Sequence, residues 1–314
     1  MSCYRTLGRS TVASASRSRF MMPAYSSLKP KIYQIGTGTC RIDAAHAQTS
    51  ACIINGDTTL LIDIGYGVLD RLDSCGALDH CRELHIHISH RHTDHLAGLF
   101  PLLQCLTWSD DARHLSIVRV VIHATEEVCN LIENLRSLWG KDETSLRNAS
   151  PATLCRSLEY APGPDFQNWN YSAGGIPVTS IHLPGANNHG ARCDVDGKRY
   201  AFACDATEVS DSLINFCRDS DLCVFDFGHL TNIHLSDGTH AINLEPVVEL
   251  LVKAKPPIAR AAHVYLRHQQ DRRLSPLERS QETRRLVMET RHRATERGFS
   301  GILSLATDNE LITL

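Results

Sequence analysis

The chain lacks any run of about 18 consecutive apolar residues, which excludes a membrane-spanning helix of ordinary type. None of its 12 cysteines forms a Cys-x-x-Cys pair, so a zinc ribbon is excluded. Scattered from Cys3 to Cys223 in a chain of 314 residues, they do not fit the disulfide scaffold of a short secreted domain and read as reduced, mostly buried thiols. Internal repeats and low-complexity blocks are missing after about residue 28. An excess of positive charge is missing too: the net charge is −3, the wrong sign for coating nucleic acid. No serine or cysteine stands in a pattern suggesting a nucleophile with a dedicated base. With 42% hydrophobic and 21% charged residues, the composition is that of a folded globular chain, not of a disordered one or a rod.

One absence is local. Residues 1–42 contain no Asp or Glu, yet carry Arg5, Arg9, Arg17, Arg19, Lys29, Lys31 and Arg41, with many Ser and Thr before residue 28. Arg-rich, Ser-rich and acid-free is the composition of an organelle transit peptide, and a mitochondrial address is expected. The alternative is a disordered leader, or translation from Met21 or Met22, with a cytoplasmic product. The four arginines of residues 1–28 leave the rest of the chain at −7, an acidic body that argues further against nucleic acid as a partner. Asn148-Ala149-Ser150 is a glycosylation sequon, disregarded because no secretory signal precedes it.

After residue 28 the pattern is mixed. Short β-type runs cover 31–35, 51–54 and 58–64, the last two joined by Asn55-Gly56-Asp57, a hairpin signal. A further strand is predicted over 84–89 and three over 175–205, with Asp196-Gly197 as a turn; short strands close the chain at 302–306 and 311–313. Helices are predicted over 125–138, 243–253 and 275–297, the first with Val128, Leu131, Ile132 and Leu135 on one face. This is a layered α/β pattern without strict βαβ alternation, read as a leader over 1–28 and one domain over 29–314.

What the chain has in plenty is histidine, 17 in all, and in clusters. Directly after the strand at 84–89 comes His90-x-His92-x-Asp94-His95. Imidazole and carboxylate suit zinc, manganese or iron, and four such groups in six residues can diverge toward two neighbouring ions if the chain turns there. His85 and His87 alternate with Ile86 and Ile88 and read as satisfied structural histidines. Further ligands are sought at strand ends, where a sheet holds them rigidly: His182, Asp205 and His263, with His268 a weaker rival to His263.

Taken in order, these segments resemble the metallo-β-lactamase superfamily. Thr59-Leu60-Leu61-Ile62-Asp63-Ile64-Gly65 resembles its early strand ending in Asp-x-Gly, and Ser89 to Gly98 its His-x-His-x-Asp-His segment. Gly197 to Asp205 resembles the strand that delivers a bridging aspartate, and His240 to His263 the closing helix and strand. Within the superfamily the chain is similar to ribonuclease Z and the phosphoribosyl cyclic phosphodiesterases. That resemblance implies an αββα sandwich holding two divalent ions, zinc first and manganese or iron as alternatives. His90, His92 and a third histidine would hold one ion; Asp94, His95 and His263 the other; Asp205 would bridge. His182 is the expected third histidine, and His189 the alternative, at the far end of the loop His182-Leu-Pro-Gly-Ala-Asn-Asn-His189. Asp63 would orient a ligand imidazole from behind, and His240 would face the substrate.

The function so implied is hydrolysis of a small nucleotide or ribose phosphodiester, cyclic ones included, by water activated between the ions. Asp94 would take a proton and His240 would donate one. Two departures disfavour processing of tRNA 3′ ends. Only a hairpin fits between His182 and Asp205, where ribonuclease Z carries its tRNA-gripping arm, and the usual His-Ser-Thr reads His240-Ala241-Ile242. Thioester or lactone hydrolysis on the same metals is the remaining alternative. The expected partner is a small molecule, with a homodimer allowed.

Overall fold

The computed structural model describes residues 29–38, 46–107, 117–138, 157–184, 187–203, 205–234, 236, 240–262 and 275–312, with the backbone alone at Ser157, His234, His240 and Pro276. The leader over 1–28, the sequon at Asn148, His263 and His268 lie outside the described residues.

Two seven-stranded sheets face each other. The first is built from β1 (Lys31–Gly36), β2 (Ser50–Asn55), β3 (Thr58–Ile62), β4 (Glu83–His87), β5 (Arg119–Thr125) and β6 (Ser157–Gly163). The second takes β7 (Trp169–Ala173), β8 (Ile176–Leu183), β9 (Asn188–Val195), β10 (Lys198–Ala203) and β11 (Leu222–Asp226). β12 (Asn232–His234) and β13 (His240–Ile242) form a separate hairpin. β14 (Ile258–Ala262) and β15 (Ile302–Leu305) complete the second sheet, and β16 (Glu310–Ile312) pairs with β1 on the edge of the first.

The inner faces supply a shared core that includes Ile32, Ile53, Leu60, Ile62, Val178, Cys193, Phe202 and Val224. The outer face of the first sheet is covered by the helices Val68–Ser74, Leu99–Thr107 and Glu126–Leu138, through Val68, Leu72, Leu102, Val128 and Ile132. The outer face of the second is covered by Asp211–Arg218, Glu245–Ala254 and Pro276–Glu296, through Phe216, Val247, Leu251 and Leu286. This is the expected αββα sandwich. The predicted helices stand at Glu126–Leu138, Glu245–Ala254 and Pro276–Glu296, the last opened by a Ser275/Glu278 capping box. β5, β6, β7 and β11 were not read from the sequence; β11 is buried along its whole length and has no alternation to betray it. Cys52, Cys193 and Cys223 are buried. Among the described residues no helix is long and apolar enough to cross a membrane.

The sheets are parallel where chemistry is placed. β3, β4 and β5 run parallel, as do β10, β11 and β14, so the chain leaves both groups at their carboxyl ends. Asp63 follows β3, His90 follows β4, Asp205 follows β10, and Asp226 ends β11. Open α/β sheets bind ligands at such edges, because the loops there converge while rigid strands hold their roots.

His85 and His87 share one face of β4, as alternation requires, and both are buried. His85 Nδ1 lies 2.9 Å from His123 Nε2, and His87 Nδ1 lies 3.0 Å from the Tyr171 hydroxyl. The His123 ring stacks on Tyr171 with centroids 4.0 Å apart. Burial, reinforced by His85, His87 and Arg119, pushes His123 down to about 3. An unfolded histidine titrates near 6.5, so below that pH the unfolded chain binds a proton that folded His123 refuses until about pH 3. The stabilisation is complete above pH 6.5 and is lost as pH falls through that window. Between pH 6.5 and 5 the loss from this residue is about 2 kcal/mol. Urea midpoints across this range should show that slope, and His123→Gln should flatten it; an unchanged slope in the variant would locate the pH sensitivity elsewhere.

Candidate metal centre

The segment Ser89–Leu96 turns sharply into a short helix, Thr93–Leu96, whose N-cap is His92. That turn is possible because Gly65 lies directly beneath it: a Cβ on Gly65 would sit 2.0 Å from the Asp94 carbonyl oxygen. The Asp63-x-Gly65 pattern is thus a packing requirement of the histidine loop, not an independent signal. Asp63 is fully buried, with φ of 58°, in the left-handed region that aspartate tolerates better than most side chains. Its carboxylate accepts from the Ser89 N–H (2.7 Å), the Ser89 hydroxyl (2.8 Å) and His95 Nδ1 (2.8 Å). Accepting from Nδ1 fixes the ring of His95 and turns its Nε2 toward the cleft.

Asp205, also left-handed at φ 52° and buried, is the centre of the cluster. Its Oδ2 lies 3.2 Å from His90 Nε2 and 3.9 Å from His92 Nδ1. Its Oδ1 lies 3.4 Å from His95 Nε2 and 3.8 Å from His229 Nδ1. One oxygen therefore faces His90 and His92, and the other faces His95 and His229. Asp94 Oδ2 is 3.8 Å from His95 Nε2 on that second side. His90 and His92 bring ring nitrogens to within 2.9 Å of each other.

The electrostatics follow from this crowding. Burial alone would raise the Asp205 carboxyl, but His95, His90 and His92 overcome it and hold the pKa well below the usual carboxylate range. Burial likewise opposes protonation of His95, yet Asp205 and Asp63 hold it well above the ordinary histidine value. His90 is pushed down by burial and by His95.

Sequence reading missed Asp226 and His229. Asp226 ends β11 and caps the helix Phe227–Thr231, accepting from the His229 N–H at 2.9 Å and, through a short hydrogen bond, from His229 Nδ1. Donor atoms of Asp205, Asp226 and His229 lie within 4.8 Å of one another, as do those of His90, His92 and Asp205. The available signal was a carboxylate closing an apolar run, Leu222–Asp226, with a histidine three residues on.

The expected third histidine is placed differently. His182 does not end its strand: β8 continues to Leu183, and His182 pairs across the ladder with His189. Neither ring joins the two donor groups around Asp205. His182 Nε2 is buried and has no hydrogen-bond partner among the described residues, and its ring is 5.4 Å from that of His189. His189 is fully buried; its N–H donates to the Ser89 carbonyl (3.1 Å), its Nε2 is 3.3 Å from Asn187 Oδ1, and burial pushes its pKa down to about 3. It is the nearer of the two to the histidine loop; the sequence reading put it at the far end of a loop, meeting substrate or solvent, whereas it is buried within β9. His240 opens β13, in register with His234 across the hairpin that follows the His229 helix. β14 ends at Ala262, beside Asp226 in the ladder, immediately before His263.

The sequence profile of the Anti-Pycsar protein Apyc1 family matches residues 30–283. The chain belongs to that family. No curated protein matches it. Among solved structures, the metallo-β-lactamase fold protein YhfI from Bacillus subtilis is similar at a TM-score of 0.59 and 18% identity, covering 91% of this chain and 99% of its own. A diphosphatase of the PhnP family is similar at 0.56 and 14%, covering 91% and 97%. The short form of human tRNase Z is similar at 0.55 and 15%, covering 90% and 98%. At these identities the likeness is one of fold: this family member has the metallo-β-lactamase fold.

The donor set fits divalent cations. Buried carboxylates of Asp205, Asp226 and Asp94 converge with the imidazoles of His90, His92, His95 and His229, a mixed oxygen and nitrogen donor set of the kind that suits zinc, manganese or iron.

Proposed function

We propose that this chain is a metal-dependent phosphodiesterase that hydrolyses a small nucleotide or ribose cyclic phosphodiester. The observation that carries the reading is the two-sided Asp205, with His90 and His92 on one oxygen and His95 and His229 on the other. His90, His92 and Asp205 would hold one ion; Asp94, His95 and Asp205 the other, with His263, the residue after β14, as the further ligand implied by the sequence. Zinc suits this mixture of imidazole and carboxylate, with manganese or iron as alternatives. A divalent pair there supplies an acidified water and positive charge against the phosphoryl oxygens.

The chain's own residues do the rest. Asp63 orients His95 and, through Ser89, the whole loop. Asp94 accepts a proton from the attacking water. His240 donates one to the leaving alkoxide; His229, held by Asp226, is a second group of the right type. Membership of the Apyc1 family supports a small nucleotide substrate, and the acidic body, at −7 after residue 28, disfavours tRNA.

The test is a substrate panel on purified protein. Nucleoside cyclic phosphates and ribose cyclic phosphate should be hydrolysed, strong chelation should abolish turnover, and added zinc or manganese should restore it. Thioester or lactone hydrolysis with no phosphodiester turnover would overturn the substrate reading, and full activity after metal removal would overturn the chemistry.

A further inference from the structure

Phe166 lies in the turn between β6 and β7 with 62% of its surface exposed. Its φ is 56°, in the left-handed region, where a bulky L side chain is strained and glycine or asparagine is not. Burial does not explain this phenylalanine, and backbone preference argues against it. A strained aromatic residue held out into water is a feature for which a functional reason is sought.

The turn is firmly tied. The Phe166 N–H donates to Asn187 Oδ1 at 3.0 Å. Asn187 is buried and itself left-handed, and its Nδ2 donates to Glu127 Oε2 (3.0 Å) and Asp165 Oδ1 (3.1 Å). The Phe166 ring meets that of His182 edge to face, centroids 5.7 Å apart and planes at 72°. The same residues lead into the metal centre. Glu127 pairs at 2.6 Å with Arg91, which stands between His90 and His92. Asn187 Oδ1 is 3.3 Å from His189 Nε2, and the His189 N–H donates to Ser89, the residue before His90. Trp169, three residues on, packs against His189 instead, with ring centroids 4.6 Å apart. Phe166 is thus the aromatic ring of this turn that is offered to solvent, on a backbone anchored to the histidine loop.

We propose that Phe166 is a stacking platform for the nucleobase of the substrate. This rests on the phosphodiesterase reading above. A flat, water-exposed ring on a rigid support binds the face of a base whatever its hydrogen-bonding edge, and removing such a ring costs about tenfold or more in affinity.

The experiment compares Phe166→Ala, Phe166→Trp and Phe166→Gly with the wild type on a nucleoside cyclic phosphate and on ribose cyclic phosphate, which has no base. Phe166→Ala should raise KM for the nucleotide about tenfold with kcat within about twofold, and leave KM for the ribose ester unchanged. Phe166→Trp should restore nucleotide KM. Phe166→Gly should lose nucleotide affinity like Ala while its Tm stays equal or rises, because glycine relaxes the left-handed turn. Equal effects on both esters, no effect on either, or a fall in Tm in the Gly variant would overturn the proposal. If the wild type hydrolyses neither ester, the phosphodiesterase reading fails on its own. Calorimetric titration with adenosine 5′-monophosphate against ribose 5-phosphate then decides the platform: selective loss of the nucleotide in Phe166→Ala supports it, and equal binding by variant and wild type overturns it.

Discussion

Replacing Asp205 with asparagine is expected to lower turnover by at least about a thousandfold and to strip most of the bound metal. The size of the effect comes from position. One carboxylate oxygen faces His90 and His92 at 3.2 and 3.9 Å, the other faces His95 at 3.4 Å, so a single substitution weakens both halves of the centre. Asparagine keeps the shape and tolerates the left-handed φ of 52°, so the loss reports charge and not backbone. Asp94→Asn touches one side and should leave more metal behind. Atomic emission on dialysed protein, alongside initial rates, measures both. Wild-type metal content in Asp205→Asn would show that Asp205 bridges nothing.

Asp63→Asn is expected to cost about 3–5 kcal/mol of stability and to weaken metal binding about 10–100-fold. Asp63 is fully buried and answers three donors: the Ser89 N–H, the Ser89 hydroxyl and His95 Nδ1. An asparagine presents one oxygen and an NH2 group, so an N–H would confront either the Ser89 backbone N–H or the His95 Nδ1–H, and in the metal-free protein His95 would lose a buried counter-charge. Ser89→Ala removes a neutral hydroxyl and should cost only about 1 kcal/mol. Urea unfolding of metal-free protein isolates the stability effect; metal titration isolates the affinity effect. Equal stabilities for wild type and Asp63→Asn would mean that Asp63 is a plain turn former.

The sequence alone carried what is written in short, dense local patterns. His90-x-His92-x-Asp94-His95 is legible because its donors lie within six residues, and Asp63-x-Gly65 through its resemblance to the family's early strand; that its glycine has no room for a Cβ against Asp94 is visible only in the fold. The hairpins at Gly56 and Asp196-Gly197 announce themselves through residues that accept positive φ, and the amphipathic helix Glu126–Leu138 through its period. Tertiary structure decided what depends on meeting across distance. Asp226 and His229 join the centre only because β11 lies between β10 and β14 with its carboxyl end beside Asp205, and no spacing along the chain encodes that neighbour order. Whether His182 or His189 approaches the histidine loop depends on β8 running on to Leu183, which places the two rings opposite each other across a ladder and gives His189 the bond to Ser89. Phe166 reads in sequence as an unremarked hydrophobe; its strain, its exposure and its tie through Asn187 to Glu127 and Arg91 exist only once the folded sheets bring those segments together.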